Sequence, residues 1–166
     1  TTRFSFAQAM DGRINDTFLI FTVDGVEWND SCKSRGFNYS PVVLNDENPD
    51  VIIIEKNINL LGNATEKLTG LRNSNCSGFW IIIHEWESNA FRAYEISKSG
   101  ISGPVISKIG TIHGNDSIQN DCRNKIGNMK ISPNGDKIAV IISFHGVFEI
   151  FDFDNKTGII SKCISI

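Results

Sequence analysis

No run of lysine and arginine occurs in this 166-residue chain, and its formal charge is only -3. A surface that neutralises phosphates needs clustered cations, so neither nucleic acid nor an anionic membrane surface is indicated as a partner. Long apolar runs are missing too: the densest, Trp80-Ile81-Ile82-Ile83, stops at His84-Glu85, far short of the ~20 residues that span a bilayer as a helix. No CxxC pair occurs, which removes the usual zinc-ribbon and dithiol-redox readings. Helical periodicity is almost absent; the sole candidate, Ala64 to Leu71, is short, contains Gly70, and is read as strand or loop. The chain also lacks an initiator Met and a leader-like segment, so Thr1 is expected to be a boundary inside a longer protein or a processed terminus.

What remains is β-forming. Thr17-Phe18-Leu19-Ile20-Phe21-Thr22-Val23 is β-branched and aromatic and stops at Asp24-Gly25, which predicts a central strand. A second strand is expected over 37–44, with Pro41 pushing it toward a sheet edge, and a third at Val51-Ile52-Ile53-Ile54. Phe79 to Trp86 followed by Ala90 to Ile96 reads as a hairpin. Lys137 to Ser143, a turn at His145-Gly146, and Val147 to Asp154 read as a second copy of it.

Three segments anchor an internal repeat: Phe18-Leu19-Ile20-Phe21, Trp80-Ile81-Ile82-Ile83 and Ile138-Ala139-Val140-Ile141. They recur at roughly 60 residues, longer than the ~40–50 of an ordinary propeller blade, so long loops are implied. The expected units are 14–72, 73–132 and an incomplete 133–166. A sheet apolar on both faces needs neighbours on both sides, so the predicted fold is all-β: a partial β-propeller of about three antiparallel blades, open rather than closed.

The third copy carries a resemblance. Gly127-Asn128-Met129-Lys130-Ile131-Ser132-Pro133-Asn134-Gly135-Asp136-Lys137-Ile138-Ala139, followed by Phe148 to Gly158, resembles the strand-turn-strand phrase of WD40-like and lactonase-like propeller repeats, with Asn134-Gly135 as the tight turn. The second copy, Phe79 to Tyr94, is similar to propeller repeats of bacterial cell-surface proteins exported by type IX secretion. The resemblance implies an extracellular or cell-surface location, a protein or glycan ligand, and association with the remainder of a larger parent chain. It implies no cofactor and supplies no catalytic motif.

The cysteines Cys32, Cys76, Cys122 and Cys163 lie far apart in turn-rich segments, which suits an exported, partly disulfide-bonded protein. Three pairings are open, and free buried thiols are the alternative. Asn38, Asn63 and Asn155 begin Asn-x-Ser/Thr triplets that a eukaryotic secretory pathway could glycosylate; in so Asn-rich a chain, chance is the competing account.

Candidate ligand-binding residues are Trp28 and Trp86 at turn edges, and His84, His113 and His145, which could gather at the mouth of a propeller channel. Each has a structural alternative: His84 lacks a second His four residues on, and Trp80 reads as core. No metal site is expected. Asp152, Asp154 and Asn155 look faintly like a calcium loop but lack the closing bidentate Glu, and Ser132 and Ser143 lack a nucleophile elbow. The expected function is a non-enzymatic binding or interaction module; a lactonase-like propeller hydrolase and a structural scaffold are the alternatives.

Overall fold

A computed structural model of the chain describes residues 2–10, 16–25, 36–45, 48–114 and 122–166. The described residues are all-β, with one 3-10 turn at Cys122–Lys125. Trp28 and Cys32 lie outside them. No helix among the described residues is long and apolar enough to cross a membrane.

Three antiparallel sheets follow one another along the chain. The first holds β1 (Thr2–Met10), β2 (Asp16–Asp24), β3 (Phe37–Asn45) and β4 (Asn48–Ile53) in that order, with β5 (Ile58–Leu61) also pairing with β3. The second is the meander β6 (Ala64–Arg72), β7 (Gly78–Glu85), β8 (Ser88–Ser97), β9 (Gly100–His113). The third is the meander β10 (Gly127–Ile131), β11 (Lys137–Ile142), β12 (Val147–Asp154), β13 (Ile159–Ser165).

Both expected hairpins are present, as β7–β8 and β11–β12, and the Thr17–Val23 run is central, between β1 and β3. Three expectations change. The sequence units cut the chain one strand late: Ala64–Arg72 and Gly127–Ile131, assigned to the ends of the first two units, instead open the second and third sheets. The third sheet has four strands, because Ile159–Ser165 pairs with β12. Pro41 is not at an edge; it sits opposite Leu19 of β2. Its carbonyl accepts the Ile54 N–H at 3.0 Å, and in an antiparallel strand a residue's N–H and C=O point the same way. The proline's missing donor therefore faces away from β2, where β4, paired from Val42 onward, gives way to β5, paired up to Tyr39. No ladder bond to β2 is lost.

Two cores separate the three sheets. Leu19, Phe21, Val23 and Phe37 of the first pack on Leu68, Ile81, Ile83, Tyr94 and Ile96 of the second; Phe37 lies 5.7 Å from both Phe21 and Tyr94, ring centre to ring centre. Trp80, Ile82, Phe91 and Ala93, on the second sheet's opposite face, pack on Met129, Ile138, Val140, Phe151, Phe153 and Ile160 of the third. This explains the unbroken apolar run in β7: odd positions face one sheet and even positions the other, and each large side chain so buried contributes about 1.5–3 kcal/mol. The opening strands of the second and third sheets, β6 and β10, lie together, as do their closing strands, β9 and β13.

Candidate functional site

A buried polar cluster lies where β6, β7 and β9 meet the 3-10 turn at Cys122–Lys125. Its origin is an irregularity in β6. Ala64 pairs with Glu85 and Leu68 with Ile83, so the three residues Thr65, Glu66 and Lys67 face a single β7 residue, His84, and extra backbone bulges out. Thr65 stabilises the bulge: its hydroxyl donates to the His84 carbonyl at 3.1 Å and accepts the Lys67 N–H at 3.3 Å.

The bulge turns Lys67 inward, where the side chain is fully buried. Its ammonium donates to the carbonyls of Asn124 at 2.8 Å and Lys125 at 3.0 Å. Burial nevertheless dominates, and pulls its pKa down to about 7 against the opposing attraction of Glu66. Gly127 makes this reach possible. A Cβ there would run into the Ile141 carbonyl oxygen and lie 2.7 Å from Lys67 Cε.

Beside Lys67, the His84 and His113 rings stack at 3.6 Å with an 18° tilt, and His84 meets the edge of Phe91 at 4.6 Å. Both histidines are buried. His84 Nδ1 sits 2.8 Å from the Glu85 carbonyl; a carbonyl only accepts, so this nitrogen carries the proton and Nε2 is bare. Burial and then the Lys67 charge push the His84 pKa down to about 3. His113 is pushed down further by burial, with His84, Lys67 and His145 adding to it. Among the described residues, His84 Nε2 and both His113 ring nitrogens have no hydrogen-bond partner.

His145 reaches the same cluster from the loop after β11. Its Nε2 is 2.7 Å from Asn124 Nδ2, which also donates to the Gly114 carbonyl at 3.0 Å. His145 itself is exposed. Next to it, Phe144 is 47% exposed, and the Arg123 guanidinium lies 4.8 Å above its ring. Trp86, proposed as a stacking platform, is only 3% exposed and lies beneath the Lys125 ammonium at 4.9 Å. That correction follows from its place in the tight β7–β8 turn, whose backbone bonds back to Asn63 and carries the ring inward.

The three histidines named from sequence are thus brought together, while Trp86 forms part of the cluster's floor. Lys67, Asn124 and Lys125 were missed. The signal for Lys67 was the polar triplet Thr65-Glu66-Lys67, which breaks the period of two inside a strand; no local pattern marks the other two. Among the described residues no three His, Cys, Asp or Glu side chains converge as metal ligands.

The remaining candidates have structural partners. Asp152 pairs with Lys137 and Lys162. Asp154 accepts from Lys156 N–H and the Thr157 hydroxyl, which closes the turn before β13. Ser132 accepts the N–H groups of Asp136 and Lys137 and so braces the Asn134-Gly135 turn. Trp80 is core, as expected, and donates to the Asn155 carbonyl at 2.9 Å. Cys122 is disulfide-bonded, whereas Cys76 and Cys163 are free, exposed thiols.

No protein-family model matches the chain, and no curated protein matches it.

Proposed function

We propose that this chain is a non-enzymatic interaction module built from propeller-type blades, exported to the cell surface, that binds a protein or glycan at the strand ends around His145. The observation that carries this reading is the exposed pair Phe144 and His145 beside Arg123, mounted on a fully buried polar base of Lys67, His84, His113 and Asn124. An aromatic face with a cation and an imidazole at its rim suits the flat apolar face and hydroxyls of a sugar, or an acidic peptide side chain. The blade reading is supported by the meander order of the second and third sheets and by the adjacency of like strands across their interface. Resemblance of the Ser132-to-Ala139 turn to propeller repeats supports it from sequence.

A propeller hydrolase is the second reading, favoured by one observation: a lysine with a pKa lowered to about 7 beside two neutral imidazoles is the kind of perturbed group that catalysis uses. Its burial places it behind the rim rather than in contact with a substrate, so binding is preferred.

The test is a glycan and protein array probed with the purified chain, repeated with Phe144→Ala and His145→Ala. Saturable binding to one class of ligand, lost in either variant while the circular-dichroism spectrum is unchanged, supports the module. Lactone or ester turnover abolished by Lys67→Met would replace it with the hydrolase.

A further inference from the structure

We propose that Asn75 carries an N-linked glycan, set on the turn between β6 and β7 at the strand end opposite the His145 rim. Seven Asn-x-Ser/Thr triplets occur in the chain. With 17 Asn, and 24 Ser and Thr together, among 166 residues, random order would give about two or three, so the abundance of asparagine does not account for them. Each triplet is an acceptor signal, but the acceptor must stand at the surface, because the glycan is bulky and hydrated.

The fold sorts the four triplets that lie wholly within the described residues. Asn38 is buried; its side-chain nitrogen donates to the Gly36 carbonyl at 3.2 Å and its Oδ1 accepts from Asn59 at 2.9 Å. Asn63 donates to the Trp86 carbonyl at 3.3 Å, and the hydroxyl residue of its triplet, Thr65, is buried. Asn155 donates to the Arg72 carbonyl at 3.3 Å, and its Oδ1 is buried. In all three the nitrogen that would bond to sugar is engaged within the fold.

Asn75 differs. Residues 74–77 are all exposed, and Asn75 Nδ2 has no hydrogen-bond partner among the described residues. Its Oδ1 is the engaged atom, accepting the Ser77 N–H at 2.9 Å and the Ser77 hydroxyl at 2.6 Å. Two donors on an amide oxygen stabilise negative charge there and make an Nδ2 proton easier to lose, which an amide nitrogen needs in order to attack. The turn is fixed from below by buried Asn73, which accepts the Gly78 N–H at 3.0 Å and donates to Ser77 Oγ at 3.2 Å and to Glu95 at 3.0 Å.

The co-reactant is a lipid-diphosphate-linked oligosaccharide of the export pathway. Asn75 Nδ2 attacks the anomeric carbon, the bond from that carbon to the diphosphate oxygen breaks, and an N-glycosidic bond forms. Nδ2 gives up one proton, and the lipid diphosphate leaves with the electron pair. β7 begins after this turn and ends beside Trp86, beneath Lys125; its eight residues span about 26 Å, which keeps the glycan clear of Phe144 and His145. Such a modification belongs to a eukaryotic secretory pathway, not to the type IX route that the resemblance of the second hairpin implies, so it also decides between the two.

Peptide mapping by mass spectrometry of the protein purified from its native source is the test. The expected result is a glycan on Asn75, released by peptide-N-glycosidase in heavy-oxygen water with a mass-tagged aspartate left at that position, and none on Asn38, Asn63 or Asn155. In the same host, Asn75→Gln and Ser77→Ala should each abolish it, the second because it keeps the nitrogen and removes the hydroxyl that the acceptor signal requires. Circular dichroism checks their folding, and either variant that folds suffices. An unmodified Asn75, a glycan on any of the three engaged asparagines, or a glycan on Asn75 that survives Ser77→Ala overturns the proposal.

Discussion

Acid should unfold this protein through its buried histidines. The unfolded chain takes a proton on each imidazole near pH 6.5, whereas burial and Lys67 push folded His84 down to about 3 and His113 lower still. Because the folded pKa is the depressed one, the unfolded state binds more protons below pH 6.5 and stability falls as pH falls. Each histidine contributes a slope of about 1.4 kcal/mol per pH unit, so the pair removes roughly 5 kcal/mol over two units. That is comparable to the entire stability of a typical domain, about 5–15 kcal/mol. Carboxylates also titrate on the way down, so the informative quantity is a difference. Urea unfolding at about pH 6.5, 5.5 and 4.5 for the native chain and His113→Phe isolates one histidine, and the slopes should differ by about 1.4 kcal/mol per unit. Phenylalanine keeps a flat ring against His84, and the slope is independent of whatever the substitution does to absolute stability. Equal slopes would refute the reasoning, because they would mean that folded His113 takes up its proton as readily as the unfolded chain does.

Lys67 acts at the other end of the scale: with its folded pKa lowered to about 7 from 10.5, stability should rise between those values by about 1.4 kcal/mol per pH unit, and Lys67→Met should flatten that rise in the same urea assay. Gly127→Ala should cost about 1–3 kcal/mol, since its Cβ meets the Ile141 carbonyl and Lys67; a melting temperature equal to that of the native chain would contradict the close approach. Thiol labelling followed by peptide mapping should modify Cys76 and Cys163 without denaturant and leave Cys122 unmodified until reduction; early labelling of Cys122 would contradict its disulfide.

Central strands were legible because their composition states it: no arrangement but a central one suits Phe18 to Val23, Trp80 to Ile83 or Ile138 to Ile142, although of the three only Trp80 to Ile83 is buried on both faces. The opening strands were harder. Ala64–Arg72 contains Lys67, Glu66 and two threonines that are buried in the fold, and composition alone reads such residues as exposed. Sequence units drawn from apolar anchors therefore ran one strand late. The long β9 escaped notice because residues 100–113 hold three glycines and a proline, turn signals that pairing with β8 overrides. The histidines drew attention by their chemistry, but their meeting depends on the β6 bulge and on a turn 57 residues away from Lys67, which local pattern does not encode.

The second and third sheets are joined by more than their apolar core. Lys67 reaches from β6 to the turn that precedes β10. Trp80 and Arg72 each bond to Asn155 at one strand end, and Thr111 binds Glu149 while Ser107 accepts the Ile160 N–H along the closing strands. Apolar packing alone permits two sheets to slide or fan, because it is non-directional. Three polar attachments that do not lie on one line fix a rigid body in space, as three legs fix a stool. The angle between these two sheets is thus set by directional bonds at its corners, and any assembly that extends the stack inherits its curvature from them.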